Sequence, residues 1–268
     1  MEKAQREISE ISPSQFKEVL QSEGWIVLDS VLSPGLISRL LSDLDDAYRV
    51  CRSVQIKNGV DKDTQLTVHH LIGLGESFLE FIDTLTITEH VEAFFEGKFI
   101  LNSFGGAINS ANSVSYAHRI HRDIRSFSGD MPLLLNTLLM LDDFTPQNGA
   151  TYLMPGSHRF AEKPAEEAFY KTAKQALGKA GSILVFNYNT WHAGGNNQTN
   201  RARRSLTPMY SKPFMKAQYD YPRALGYDHV GKLSDNTRQI LGYNSRVPAN
   251  LDEWYQPPEK RMYLPDQG

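Results

Sequence analysis

Residues 116–125 read Y-A-H-R-I-H-R-D-I-R, and they contain the pair of side chains about which the chain is organised. His121 and Asp123 stand two positions apart, and in extended backbone two such side chains project to the same side. One imidazole nitrogen and one carboxylate oxygen can then converge on a single ion. This spacing predicts two ligands of a metal site.

A third ligand follows at the end of an apolar segment. Residues 181–195 read G-S-I-L-V-F-N-Y-N-T-W-H-A-G-G, a predicted strand that delivers His192 as the chain reaches a glycine turn. A second imidazole placed there completes a face of two histidines and one carboxylate. We therefore predict that His121, Asp123 and His192 bind one metal ion.

Arg203 and Ser205 follow His192 in the next predicted strand, and residues 148–159 read N-G-A-T-Y-L-M-P-G-S-H-R. Together with the ordered set of metal ligands, these residues resemble the iron(II)- and 2-oxoglutarate-dependent oxygenases of the phytanoyl-CoA dioxygenase type. The resemblance covers roughly residues 99–211, with a helical portion before them.

The resemblance implies a mostly β fold with supporting α-helices, a double-stranded β-helix of the jelly-roll, cupin-like kind. It also implies iron(II), 2-oxoglutarate as co-substrate, and O2. The expected reaction oxidises a C–H bond of a small organic molecule, in the simplest case by hydroxylation, while 2-oxoglutarate is decarboxylated to succinate. In related halogenases a small residue replaces the carboxylate ligand, so Asp123 favours hydroxylation or another C–H oxidation; desaturation, demethylation and ring closure stay open.

The second carboxylate of 2-oxoglutarate needs a partner inside the barrel, because a lone buried anion is costly. Arg203 offers a planar, bidentate fork, and Ser205 lies on the same strand face at a spacing of two. Arg204 should point the other way and be mostly solvated. Asn102 and Asn136 are isolated polar residues in apolar strands, and we name both as candidates for binding 2-oxoglutarate or substrate.

Three further histidines are weaker candidates. His118 should face away from the predicted metal, and a substrate-side or surface role is the better interpretation. His69 and His70 could reach the mouth of the site, although a hydrogen-bonded loop is the simpler interpretation. Two other functions also fit the ligand set: a cupin-like metalloenzyme that works without 2-oxoglutarate, and a non-catalytic small-molecule binding protein.

Composition and charge limit the kinds of molecule that the protein is expected to bind. The 268 residues carry a net charge of -3, and no polybasic run suggests nucleic acid or an anionic membrane, so a small-molecule substrate is expected. The one cysteine, Cys51, excludes disulfides within the chain and cysteine-ligated zinc. The first residues lack an apolar core of the signal-peptide kind, which predicts a cytoplasmic protein. The oligomeric state is left open.

The pattern along the chain predicts a single domain, residues 1–268, that contains three portions. Helical support spans 12–97, a jelly-roll core spans 98–212, and a C-terminal segment that wraps the barrel or covers one mouth spans 213–268. Helices should begin at Ser12-Pro13 and Ser33-Pro34, and a capping box at Thr86 and Glu89 should start another. Residues 52–67 are predicted to form a loop, 164–177 a helix, and 234–241 a short helix. Strands are predicted at 25–31, 99–108, 133–141, 151–154, 183–186 and 203–210.

Overall fold

A computed structural model describes residues 5–111, 117–124, 126–228 and 230–268 of the protein, together with the backbone alone of Tyr116. Residues 112–115 of the predicted jelly-roll core therefore lie outside the described part. The helices, α1 to α8 in chain order, are Pro13–Ser22, Pro34–Lys57, Glu76–Asp83, Thr88–Phe95, Glu166–Thr172, Tyr221–Leu225, Asp235–Ile240 and Leu251–Trp254.

Within the described residues, ten strands form two sheets. In chain order β1 to β10 are Gln5–Glu7, Trp25–Asp29, Thr67–His69, Ile100–Asn109, Leu134–Met140, Tyr152–Leu153, Lys174–Gln175, Ile183–Asn187, His192–Ala193 and Arg203–Ser211. The larger sheet has seven strands in the order β1-β2-β8-β5-β10-β4-β3, and the smaller has the order β7-β6-β9. Three strands of the larger sheet, β1, β2 and β3, lie before residue 98, ahead of the portion predicted to form the jelly-roll core.

The predicted helix starts are confirmed at two places. Ser12 and Gln15 form a reciprocal capping box at α1, with Pro13 in the first turn. At α2 the Ser33 side chain accepts a hydrogen bond from the backbone N–H of Leu36. These caps satisfy backbone donors that the first turn of a helix leaves free.

Strand β5 lies at the centre of the larger sheet, and all seven of its residues are buried. This confirms the prediction of a strand covered on both faces, since its run of leucines carries no polar face apart from Asn136 and Thr137. On one side the core joins the sheet to the helices through buried residues such as Phe16, Leu20 and Phe81. The helices therefore back the sheet and leave its other face for the cavity described below.

The predicted loop at 52–67 is wrong at both ends. Helix α2 continues to Lys57, and Thr67 opens strand β3. The buried face of α2 is continued by a polar residue, Gln55, whose Nε2 donates a 3.0 Å hydrogen bond to the Thr67 carbonyl oxygen. The hydrophobic pattern of the sequence does not predict this last part of helix α2, because the buried Gln55 amide finds its hydrogen-bond partner in strand β3.

Two other boundaries differ from the prediction. Helix α4 begins at Thr88 without a side-chain cap, so the predicted box at Thr86 and Glu89 is absent. The helix ends at Phe95, and the C-cap residue Glu96 lies in the left-handed region with φ 54°. The predicted helix 164–177 is only Glu166–Thr172, because Lys174–Gln175 pairs with β6 as strand β7.

The C-terminal segment contains the predicted short helix as α7 and packs against the start of β4. Gln239 Nε2 donates to the carbonyl oxygen of Phe99 at 3.2 Å and to Gln267 Oε1 at 2.7 Å. Within the part of the chain that the structure describes, no helix has the length and apolar character needed to cross a bilayer.

Candidate active site

The three predicted metal ligands meet in the structure. His121 and His192 form an antiparallel bridge in which each backbone N–H donates to the other's carbonyl oxygen at 2.9 Å. Asp123 Oδ1 lies 3.7 Å from His121 Nε2 and 3.8 Å from His192 Nε2. One atom from each residue lies within 4.8 Å of the others. The backbone bridge therefore brings together side chains that are far apart in sequence.

Hydrogen bonds fix which imidazole nitrogens are available. His121 Nδ1 lies 2.7 Å from the carbonyl oxygen of Arg119, and His192 Nδ1 lies 2.9 Å from that of Thr190. A carbonyl oxygen can only accept, so each Nδ1 carries the proton and each Nε2 keeps a free lone pair. Both free lone pairs lie on the atoms nearest Asp123, which fits a bound cation.

The electrostatics of the site also suit a metal. Burial lowers the pKa of His192 to about 4, so this imidazole is neutral at pH 7, the form that ligates metals. Asn136 Nδ2 donates a hydrogen bond to Asp123 Oδ2, which leaves Oδ1 for the ion. Asn136 is one of the two asparagines predicted to bind co-substrate or substrate. It lines the cavity that also contains the three predicted ligands, and its hydrogen bond orients the Asp123 carboxylate.

The P-G-S-H segment holds the strand that carries His192. The Ser157 hydroxyl accepts from the backbone N–H of Trp191 at 2.9 Å, and Met154 N–H donates to the Trp191 carbonyl oxygen at 3.0 Å. His158 Nε2 lies 3.0 Å from the carbonyl oxygen of Gln21 in α1. The segment thus joins Trp191, the residue next to His192, to helix α1.

Arg203 is buried, with 5% of its surface exposed, in the same cavity. Its Nη1 donates to the Gly149 carbonyl oxygen at 2.6 Å, and its guanidinium carbon lies 4.1 Å from the centre of the Phe144 ring. Burial lowers the pKa of Arg203 to about 10, so the group is still cationic at pH 7. Its Nε and the buried Ser205 hydroxyl lack hydrogen-bond partners among the described residues. A carboxylate would satisfy both groups.

Close packing of Gly149 against Gly195 positions the Gly149 carbonyl group that accepts the hydrogen bond from Arg203. Gly149 has φ +79°, and a Cβ added to it would lie 2.2 Å from the carbonyl oxygen of Gly195. No side chain fits there, and L-residues rarely adopt that φ. The turn that positions the partner of Arg203 therefore requires glycine.

Three other polar candidates are outside the predicted metal and co-substrate positions. Arg204 points away from Arg203, as predicted, but it is not mostly solvated: its side chain is 29% exposed and forms a bidentate ion pair with Asp142, at 2.8 and 2.9 Å. Asn102 is buried and donates to Ser211 Oγ at 3.2 Å and to the Lys216 carbonyl oxygen at 3.4 Å. His118 is outside the metal group, and both burial and Arg203 lower its pKa.

The metal ligands and Arg203 share one cavity of about 420 Å³. Strands β3, β4 and β10 supply much of its wall, and Gln218 comes from the segment after β10. Sequence reasoning left His69 and His70 open and missed Gln218, which no motif or spacing indicates. The arrangement can hold a cation, a dicarboxylate beside it, and a further small molecule.

Such a site in a jelly roll defines a class, the non-haem iron(II)- and 2-oxoglutarate-dependent oxygenases. Residues 20–205 match the phytanoyl-CoA dioxygenase (PhyH) family. The Mycobacterium tuberculosis protein named Rv1501 is 32% identical over 269 residues, which cover 96% of each chain. This protein belongs to the PhyH family.

Other comparisons agree with this class. The Fe(II)/2-oxoglutarate-dependent dioxygenase nvfF of Aspergillus novofumigatus is 24% identical over 266 residues, covering 90% of this chain and 87% of that protein. The crystal structure of EctD from S. alaskensis with 2-oxoglutarate and 5-hydroxyectoine matches with a TM-score of 0.61 and 17% identity, over 75% of this chain and 76% of that one. The predicted fold, the iron(II)- and 2-oxoglutarate-dependent dioxygenase class and its cofactors are confirmed.

Proposed function

We propose that His121, Asp123 and His192 hold the ferrous ion, and that Arg203 with Ser205 binds the far carboxylate of 2-oxoglutarate. The observation that carries this proposal is the convergence of two Nε2 lone pairs and one carboxylate oxygen beside a buried, cationic guanidinium. With iron and O2 bound, the site would supply oxidative decarboxylation of 2-oxoglutarate coupled to oxidation of a substrate C–H bond. Residues 1–268 would serve this one site as a single catalytic domain, and the cytoplasm stays the predicted location.

Each side chain would have a separate task. The two imidazoles would supply neutral ligands whose orientation is fixed by the carbonyl oxygens of Arg119 and Thr190. Asn136 would hold Asp123 so that one carboxylate oxygen faces the ion. Arg203 would orient the co-substrate through a charge-assisted pair in a site from which water is largely excluded.

The substrate would be a small organic molecule oxidised at a C–H bond, most simply by hydroxylation. A cupin-like enzyme without 2-oxoglutarate is not favoured, because it would leave the buried Arg203 cation without a task. A non-catalytic binding protein is not favoured either, because the complete ligand set is present.

The test is substrate-free turnover. The full chain with ferrous ion, 2-oxoglutarate and O2 should release succinate slowly, and His121→Ala should release none above background. Arg159→Ala, which changes an exposed arginine away from the triad, is the control and should match the wild type. Absence of succinate from the wild type, or unchanged release by His121→Ala, would contradict the proposal.

A further inference from the structure

The short edge strand β3 supplies one wall of the cavity and is held in an unusual backbone conformation. Leu66 before it has φ 61° and His70 after it has φ 57°, values in the left-handed region that non-glycine residues seldom adopt. Such residues persist where the surroundings enforce them, and they cluster at functional sites. The residues on both sides of β3 are therefore held in an unfavourable backbone conformation by their surroundings.

The neighbouring strand β4 accommodates β3 with two glycines. A Cβ on Gly105 would lie 3.0 Å from the carbonyl oxygen of Val68, and one on Gly106 would lie 3.0 Å from Val68 Cγ2. Both distances are tighter than ordinary packing. Close approach of β3, and with it the position of His69 and His70, depends on the absence of side chains there.

His70 is fixed from the other side by the segment that follows β10. Its ring stacks on that of Tyr219, with centroids 4.3 Å apart and an interplanar angle of 12°. This segment is fastened to β4 at Asn102, whose carbonyl oxygen accepts from Gln218 N–H at 3.1 Å and whose side chain donates to the Lys216 carbonyl oxygen. Asn102 is thus a positioning residue for Gln218 and Tyr219.

The His70 ring has hydrogen-bonding capacity to spare. Burial and the neighbouring His69 lower its pKa, so it is neutral at pH 7 and offers one donor and one acceptor. Its Nδ1 is buried without a hydrogen-bond partner among the described residues. His70 and the Gln218 side chain both line the cavity.

We propose that His70 and Gln218, with Tyr219 stacked against His70, form a recognition wall that selects a compact molecule with an apolar skeleton bearing hydroxyl or carbonyl groups. This rests on the proposed function, which assigns Asp123 and Arg203 to other tasks. The neutral imidazole and amide would bind the substrate oxygens, while apolar residues such as Leu138 and Phe186 contact its skeleton.

The class is tested with two probes on one skeleton, adamantanol and adamantanone. The full chain is loaded with manganese(II) and 2-oxoglutarate, and each probe is titrated by calorimetry. Both probes should bind at millimolar concentration or below. No binding of the alcohol or of the ketone at millimolar concentration would overturn the assignment.

The wall is tested without metal or co-substrate, using adamantanone alone, so that its outcome does not depend on the proposed function. His70→Gly should weaken binding about fivefold, the loss expected for one hydrogen bond, and should not lower Tm because glycine accepts φ 57°. Ser30→Gly is the matched control: Ser30 has φ 54° and is exposed, so the same relief of strain should leave affinity unchanged. Wild-type affinity in His70→Gly would overturn the proposal.

The stack supplies a second readout. Tyr219→Ala should weaken adamantanone binding, and Tyr219→Phe should restore it, because an aromatic ring alone keeps the imidazole in place. Failure of manganese or 2-oxoglutarate to bind in the loading titration would count against the proposed function, whereas equal adamantanone binding by the Tyr219 variants would count against the recognition wall.

Discussion

The proposed metal ligands line the same cavity as His70 and Gln218 of the recognition wall, but the two regions are held in different ways. His121 and His192 sit in paired backbone hydrogen bonds, with each ring fixed by a carbonyl oxygen. His70 has strained backbone and is held by one aromatic stack and by the close approach of β3 to two glycines. The comparison indicates that the chemistry is built into the scaffold, while recognition is carried by a separate strand and segment.

The two regions should therefore respond differently to substitution. Changes among the metal ligands, Arg203 and their supports should impair cofactor binding or folding, whereas changes in the wall should alter substrate binding with little effect on stability.

Arg203→Met should weaken 2-oxoglutarate binding by at least about 30-fold, because removal of one partner of a buried charge pair typically costs about 2–5 kcal/mol. Without 2-oxoglutarate the variant should be as stable as the wild type, since methionine removes a buried cation whose Nε has no partner among the described residues. Calorimetry with manganese(II) present measures the first effect and thermal unfolding the second.

Arg204→Met is the control on the same strand. It breaks the ion pair with Asp142 on the other face, so it should cost some stability and leave 2-oxoglutarate affinity unchanged. Equal loss of 2-oxoglutarate affinity in both variants would show that the two faces of β10 are not functionally distinct.

Gly149→Ala should lower the free energy of unfolding by about 2–4 kcal/mol. The added methyl group meets the Gly195 carbonyl oxygen, which adds an overpacking cost to the cost of a positive φ. Gly129→Ala separates the two terms, because Gly129 has φ +63° and open space around it. It should cost about 1 kcal/mol. Chemical denaturation measures both, and similar losses would show that the close approach to Gly195 is unimportant.

Asn136→Ala should weaken manganese(II) binding by about 10- to 100-fold, the usual range for loss of a residue that orients a ligand. The matched change is Asn102→Ala, which removes a buried amide of the larger sheet that does not contact Asp123. It should leave metal affinity unchanged, and it should weaken adamantanone binding because it releases the segment that carries Tyr219. Metal titration and probe calorimetry separate the two asparagines, and a metal affinity of Asn136→Ala equal to the wild type would contradict the orienting role.

These two asparagines show how much of the site could be predicted from the sequence. Both are single polar residues in apolar strands, and the pattern predicts only that each needs a partner. The metal set was predictable because ligand chemistry restricts residue type and spacing, and Arg203 because a dicarboxylate needs a fork. The wall was not predictable: its positions depend on the register of β3 against Gly105 and Gly106 and on a segment joined to it by tertiary contacts.

The pH dependence of stability should report on the brace beneath His192. Burial lowers the pKa of His158 in the folded state, so below about pH 6.5 the unfolded chain binds a proton that the folded chain does not. This contribution to stability is complete above pH 6.5 and declines as pH falls toward the lower folded-state pKa. His158→Gln should flatten the decline by at most about 1.4 kcal/mol per pH unit. Denaturation between pH 5 and pH 7 measures it, and an unchanged slope would contradict the assignment.

The most direct test of the central claim is a crystal structure of the full chain grown with manganese(II) and 2-oxoglutarate under nitrogen. We expect one metal ion coordinated by His121 Nε2, His192 Nε2 and an Asp123 carboxylate oxygen, with the far carboxylate of 2-oxoglutarate against the Arg203 guanidinium. A metal ion bound elsewhere, or a dicarboxylate that does not contact Arg203, would contradict the account.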